Sequence, residues 1–323
     1  MQLNLVVTGG AGFIGSHLTE RLISDGHKVT VIDNFSTGRA SNLINLKDVD
    51  RFTLIEGSIL DSSILIPLIE DADYIFHLAA AVGVFNIVKN PLASLLTNIR
   101  GTENVLEAAH ASNIPVFLTS SSEVYGKNIS DSLNESDDRI LGSPVTLRWS
   151  YSEAKAIDES LAYAYFIEKQ LETRIVRFFN TVGPRQLGAY GMVVPRFVKA
   201  ALANEPITIY GDGNQTRCFA HVYDVVDAVL AIAFTDNTIG KVINIGNDFE
   251  ISINDLAKKI IVETASKSEI VYVPYAEAYG DGFEDMERRV PNIDLINQLV
   301  GWKPNRNLST MIADISVDMK KGS

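Results

Sequence analysis

The apolar positions set out the first part of the chain. Residues 3–8, LNLVVT, form a short β-branched run; GGAGFIGSHLTERLISDG then spaces its apolar positions at helical intervals, and HKVTVIDN returns to an apolar strand pattern. This order predicts a β-α-β unit. The alternation continues through FTLIEG, DYIFHLAA, a helical segment around TNIRGTENVLEAAHAS, the strand PVFLTSSS, the helix SYSEAKAIDESLAYAYFIEKQ and the strand TRIVRFFN. Repeated strand and helix predict an α/β doubly wound parallel sheet covered on both faces.

Beyond residue 180 the regularity loosens. Gly and Pro punctuate shorter elements in TVGPRQLGAYGMVVPRF, although VINIGN near residue 242 again reads as a buried strand. The expected division is therefore a parallel-sheet domain over 1–180, with later returns of chain near 220–248, and a smaller lobe formed mainly by 181–323. No internal repeat or low-complexity segment is visible, and the polar KKGS end is expected to fray.

Composition narrows the classes of function. The 323 residues are 46% hydrophobic and 21% charged, and no apolar run approaches the roughly 18 to 20 residues that cross a bilayer. The start, MQLNLVVTGG, has no basic segment or long apolar core, so it reads as a first strand and not as a secretion signal. A cytoplasmic protein is expected. Forty acids against 28 basic residues give a net charge of -12, unsuited to a nucleic-acid backbone. Cys218 is the single cysteine, which rules out an intrachain disulfide, and the five histidines show no close ligand spacing. No metal is expected.

Candidate chemistry begins at the first turn. TGGAGFIGSHL places Gly9, Gly10, Gly12 and Gly15 between a strand and a helix, where bare backbone can approach a pyrophosphate at a helix N-terminus. Asp33 ends the second strand, 18 residues after Gly15, where a carboxylate can accept from ribose hydroxyls. It would also repel the extra phosphate of NADP, so NAD is expected; Arg39 just downstream is the one nearby cation that could favour NADP.

Further along, RWSYSEAK sets Tyr151 one helical turn before Lys155, while TSSSEVYG ends a strand with three serines and an isolated acid, Glu123. A phenol titrates near about 10 in water, and a neighbouring ammonium favours its ionised form. Tyr151 and Lys155 are thus a candidate base and its modulator.

These segments, with HLAA, RFFNTVGPR and YGDGNQTRCFAHVYD in the same order, resemble the extended short-chain dehydrogenase/reductase family, in particular its nucleotide-sugar epimerases, dehydratases and decarboxylases. The resemblance covers essentially the whole chain. It implies a modified Rossmann domain, a lobe that holds a nucleoside-diphosphate sugar, most often UDP-linked, and NAD reduced and reoxidised within each turnover. Tyr151 would take the sugar O4 proton, Ser121 would hydrogen-bond O4, and Lys155 would bind the nicotinamide ribose. Gly9, Gly12, Phe13, Ile14, Gly15, Asp33, Asn34, Ser58, Ile59, Leu78, Ala79, Ala80, Asn98, Thr119 and Phe178 would form the rest of the NAD site. Asn180, Val193, Tyr210, Arg217 and Arg289 would contact the sugar or diphosphate. Ser58-Ile59 departs from the family's usual Asp-apolar pair at the adenine. The helices that begin near Asn98 and Tyr151 would pair with their symmetry mates in a homodimer.

Glu123 bears on the reaction. After C4 becomes a ketone, hydride return to the other face inverts C4, loss of a β-carboxylate gives a pentose, and C5 deprotonation permits elimination. Resembling epimerases have no acid at this position, 4,6-dehydratases have Asp-Glu, and uronate decarboxylases have Ser-Glu, as in Ser122-Glu123. The expectation is a lyase, with uronate decarboxylation narrowly ahead of dehydration and 4-epimerisation as the runner-up, since HLAAAVGV is closer to epimerases. In either lyase, Glu123 would act on C5 or its substituent. An acid that only accepts backbone hydrogen bonds at a turn is the plainer alternative. A non-catalytic NAD-binding relative, the other class weighed, would lack the Tyr-Lys pair.

Overall fold

A computed structural model describes residues 1–83, 89–188, 192–274, 277, 286 and 288–321. Gly322 and Ser323 of the KKGS end, Val84 of HLAAAVGV, and Ala189, Tyr190 and Gly191 of TVGPRQLGAYGMVVPRF lie outside the described residues.

The first half alternates strand and helix: β1 (Asn4–Thr8), α1 (Phe13–Ser24), β2 (Lys28–Asp33), β3 (Phe52–Glu56), α2 (Ser62–Glu70), β4 (Tyr74–His77), α3 (Pro91–Ser112), β5 (Val116–Ser121), α4 (Ser150–Lys169) and β6 (Thr173–Phe178). The central apolar runs are buried strands because both sheet faces are covered; β4 is buried at every position, whereas the edge strand β3 has no fully buried residue. α3 starts seven residues before the expected Asn98, at Pro91, whose missing N–H is one a helix start leaves unpaired anyway.

The later chain forms β7 (Thr181–Val182), α5 (Val193–Ala203), β8 (Ile207–Tyr210), β9 (Thr216–Cys218), β10 (Ala220–His221), α6 (Val222–Ala233), β11 (Val242–Ile245), β12 (Glu250–Ser252), α7 (Ile253–Glu263), β13 (Ile270–Val273), α8 (Asp294–Val300) and α9 (Leu308–Lys321). The main sheet is seven-stranded and parallel in the order β11-β6-β5-β4-β1-β2-β3. The order reverses direction between β1 and β4, and a sheet of this kind opens a crevice at the carboxyl ends of its strands.

Two cores flank that crevice. One packs α1 and α6 against the sheet through Leu18, Leu22, Val225 and Val229. The other unites α5, α7 and α9 through Phe197, Leu256, Ile260, Met311 and Ile315, away from the main sheet. Among the described residues no helix is long and apolar enough to cross a membrane.

Candidate active site

The turn after β1 is shaped by its glycines. Gly9 has φ +71, and a Cβ there would lie 2.7 Å from Ala79 N; a Cβ on Gly15 would run into the carbonyl oxygen of Gly9. Side chains are thereby kept out of the space between β1, β4 and the start of α1. Asp33 closes this corner: Oδ2 accepts from Ala11 N at 2.9 Å and Oδ1 from Phe35 N at 2.8 Å. Burial pushes its carboxyl upward against those two hydrogen bonds.

A cleft of about 520 Å³ runs from this turn to the second core. Its walls include Gly9, Gly12, Phe13, Ile14, Gly15, Asp33 and Asn34 at one end, then Ile59, Leu78, Ala79, Ala80, Thr119 and Phe178. Ser58 and Asn98 are not on its walls. Asn98 is buried behind them, accepting from Ala81 N at 2.6 Å and so fixing the segment after β4. The far end is formed by Asn180, Val193, Tyr210, Arg217 and Arg289. Arg39, Arg148, Lys155, Arg185, Arg196, Arg217 and Arg289 line the cleft against the acids Asp33 and Glu123. In a chain of net charge -12, that excess of cations suits an anionic ligand.

Mid-cleft, β5 ends in Ser121 and turns into a 3₁₀ segment, Ser122–Tyr125. Ser121 Oγ accepts from Glu123 N at 3.2 Å, and Ser121 and Tyr151 both line the cleft. Ser152 Oγ donates to Glu123 O at 2.7 Å, tying the turn to the first turn of α4. Lys155 is buried; its Nζ donates to Thr119 O at 3.0 Å and to Asp158 Oδ2 at 3.1 Å. The phenol of Tyr151 is shifted upward, first by burial and then by the negative charges of Glu123 and Asp158, with only the Ser121 hydrogen bond opposing. The sequence predicts the reverse, because it reveals the ammonium but neither the burial of the phenol nor the carboxylates around it.

Glu123 is the most constrained group in the cleft. Arg148 Nη1 donates to Oε2 and Arg289 Nη1 to Oε1, both at 2.5 Å, with side-chain exposures of 7%, 9% and 16% for Arg148, Arg289 and Glu123. Burial pushes the carboxyl up, but the two guanidinium groups outweigh it and hold it down at about 2. Arg289 also donates through Nη2 to Asn180 Oδ1 at 2.6 Å, and Asn180 Nδ2 donates to Cys218 O at 2.9 Å. An isolated bridge places that arginine: Leu133 N donates to Val290 O at 2.8 Å and Asn292 N to Leu133 O at 2.9 Å.

Arg148 is the residue that sequence reasoning overlooked. It lies three positions before Tyr151 in RWSYSEAK, within the 3₁₀ turn Leu147–Trp149 that leads into α4. The signal available was an arginine so close to a candidate base, in a segment that must lie at the site if Tyr151 does. Arg196, over the Tyr210 ring at 4.2 Å, was also passed over, within VVPRF.

The model of the NAD dependent epimerase/dehydratase family matches residues 5–246. The chain belongs to that family. This member, an enzyme whose cofactor is NAD, is 40% identical over 306 residues to a UDP-N-acetyl-alpha-D-glucosaminuronate decarboxylase of Bacillus cytotoxicus, covering 94% of each chain. It is 38% identical over 300 residues to UDP-glucuronic acid decarboxylase 1 of Danio rerio, covering 93% of this chain and 68% of that one. Among solved structures, the UDP-N-acetylglucosamine 4-epimerase of Methanobrevibacter ruminantium M1, in complex with UDP-N-acetylmuramic acid, superposes with a TM-score of 0.90 at 32% identity, covering 100% of this family member and 99% of that chain.

Proposed function

We propose that this enzyme decarboxylates a UDP-linked hexuronate. The observation that carries the reading is Glu123 held between Arg148 and Arg289 beside Tyr151. Among the described residues, Arg289 Nε is buried without a hydrogen-bond partner. A second carboxylate, such as the C6 group of a uronate, would use that donor. The decarboxylases among the relatives support the same reading.

The glycine turn and Asp33 fit NAD, with bare backbone for the pyrophosphate and a carboxylate for the adenosine ribose. When bound, NAD supplies a reversible oxidant for C4. Tyr151 takes the O4 proton, and Ser121 lines the cleft with it. The C4 ketone makes the C6 carboxylate a β-keto acid; the C5–C6 bond breaks, carbon dioxide leaves, and its electron pair is delocalised onto the C4 oxygen. A proton is then added at C5, the ketone is reduced, and Tyr151 returns the O4 proton. A UDP-pentose remains.

Glu123 enters this scheme as a fixed anion. A carboxylate at about 2 is a weak base, so abstraction of a C5 proton, the step dehydration needs, is disfavoured. Decarboxylation does not need it. 4-Epimerisation is the second reading, supported by the solved 4-epimerase above, and it makes no use of the clamp. We also propose that the first half forms the cofactor domain and the second core the substrate lobe. A cytosolic homodimer completes the proposal: Leu92 on α3 and Ile157, Tyr163 and Ile167 on α4 are exposed apolar side chains suited to a helix-paired interface. NMR analysis of products from UDP-glucuronate, UDP-N-acetylglucosaminuronate and the neutral UDP-hexoses tests the reaction. A pentose and carbon dioxide from a uronate are expected; C4 epimers alone would overturn it.

A further inference from the structure

Asp158 has no part in the chemistry set out above, yet it lies against the lysine beside the proposed base. It is fully buried on α4, three residues after Lys155, and its Oδ2 accepts from Nζ at 3.1 Å. Its Oδ1 makes no hydrogen bond of normal geometry, with the Thr102 side chain as its neighbour. A buried ion pair is costly to desolvate, and apolar side chains of similar size often serve stability as well. Packing alone is therefore a weak account of it.

We propose that Asp158 is a positioning residue that offsets the Lys155 ammonium and thereby sets how readily the Tyr151 phenol ionises. This rests on the reading of Tyr151 as the base for O4. Charges on the surrounding elements are already committed. On α4, Glu159 is held by Arg177 at 2.7 Å and by Ser120 at 2.5 Å. On the turn after β5, Glu123 is held by Arg148 and Arg289. On β4, His77 is buried between the hydroxyls of Thr8 and Thr102, and burial, aided by Lys155, lowers it to about 3, so it is neutral at working pH. Lys155 is thus the cation whose charge Asp158 decides.

The function of such an offset follows from a reaction that oxidises and then reduces one carbon. Tyr151 must take the O4 proton and later give it back. An uncompensated ammonium would favour the phenolate in both halves and hinder the return. Burial raises the Asp158 carboxyl and Lys155 lowers it, and the Asp158 charge in turn raises Tyr151.

Asp158→Asn tests this, because it keeps an oxygen within reach of Lys155 and removes the charge. The ultraviolet titration of Tyr151, isolated by subtracting the same protein carrying Tyr151→Phe, is expected to move down by about one pH unit. The acid limb of kcat/KM on a UDP-hexuronate should move down by a similar amount. A purely structural Asp158 would lower stability and leave both midpoints in place, and that result overturns the proposal. The titration needs no substrate, so absence of turnover on uronates by the wild type strikes the proposed reaction and leaves this inference to be decided by the tyrosine. Should the variant not fold, Tyr151 is followed in the wild type by NMR of 13C-labelled tyrosine. Ionisation above the ordinary value of about 10 is expected, and ionisation below it overturns the inference.

Discussion

Arg289 Nη1 donates to Glu123 Oε1 at 2.5 Å, joining groups 166 positions apart in the chain. The acid comes from the end of β5, and the arginine from a segment pinned to Leu133 by backbone bridging. The site therefore needs both halves of the chain folded together. Because the carboxylate is shared with Arg148, removing either arginine changes the charge of the cluster and its geometry at once.

Arg289→Ala should leave Glu123 with one cationic partner and the proposed uronate carboxylate with none of the Arg289 donors. Losing one member of a buried, hydrogen-bonded charge pair costs about 2 to 5 kcal/mol, so kcat/KM on a uronate is expected to fall by about 30-fold or more. Steady-state assay of carbon dioxide release measures it. A loss below about threefold would separate Arg289 from the substrate.

Acid stability gives an independent check on the clamp. Glu123 is held at about 2 in the folded protein and returns to about 4.3 when unfolded, so its contribution is fully present above the unfolded value and is lost as pH falls through the folded one. That contribution is about 3 kcal/mol at most. Urea unfolding at pH 6 and at pH 3 should show a steeper loss for the wild type than for Glu123→Gln, which has no carboxyl to titrate. Equal losses would contradict the depressed value.

The sheet was largely legible in the sequence because most of its strands are largely buried and read as short runs rich in β-branched and apolar residues, from LNLVVT to TRIVRFFN. VINIGN marked the late strand that pairs with β6. The glycine turn was legible because its close approaches tolerate no side chain. What stayed hidden was pairing. Asp158 lies within the helix SYSEAKAIDESLAYAYFIEKQ and Arg148 just before it in RWSYSEAK, but periodicity does not tell a solvated charge from one folded onto a partner. The same blindness put Lys155 beside a phenol and left out the carboxylate that offsets it.

Purified protein should retain NAD, since a cofactor recycled at one site has no need to exchange with each turnover. Denaturation and chromatography of the released nucleotide checks this. The Asp33 carboxylate, already engaged by two backbone N–H groups, is placed to repel a 2′-phosphate. Consistent recovery of NADP alone would overturn that role.

Light scattering at micromolar concentration should give the mass of a homodimer, about twice 35.4 kDa. Changing Ile157 and Ile167 together to Asp would place charges on the exposed apolar face of α4 and is expected to yield monomers with unchanged far-ultraviolet circular dichroism. A wild type that is already monomeric would sink the interface.

Glu123→Gln separates the reactions available to a C4 ketone. The amide keeps the shape of the side chain and one acceptor oxygen, but it cannot accept from Arg148 and Arg289 together as the carboxylate does. Oxidation at C4 depends on Tyr151, Lys155 and Ser121 and should survive. Removing the fixed anion makes the cluster one unit more positive, which should hold the substrate carboxylate more tightly and stabilise it against leaving. The variant of a decarboxylase is therefore expected to accumulate the 4-keto uronate, seen by NMR and mass spectrometry, while pentose formation falls by about 100-fold. A dehydratase variant would accumulate a 4-keto hexose from a neutral substrate instead. A 4-epimerase needs no acid here, and its variant should interconvert C4 epimers at close to the wild-type rate. Near wild-type epimerisation, with no pentose from either protein, would reject decarboxylation and promote the second reading.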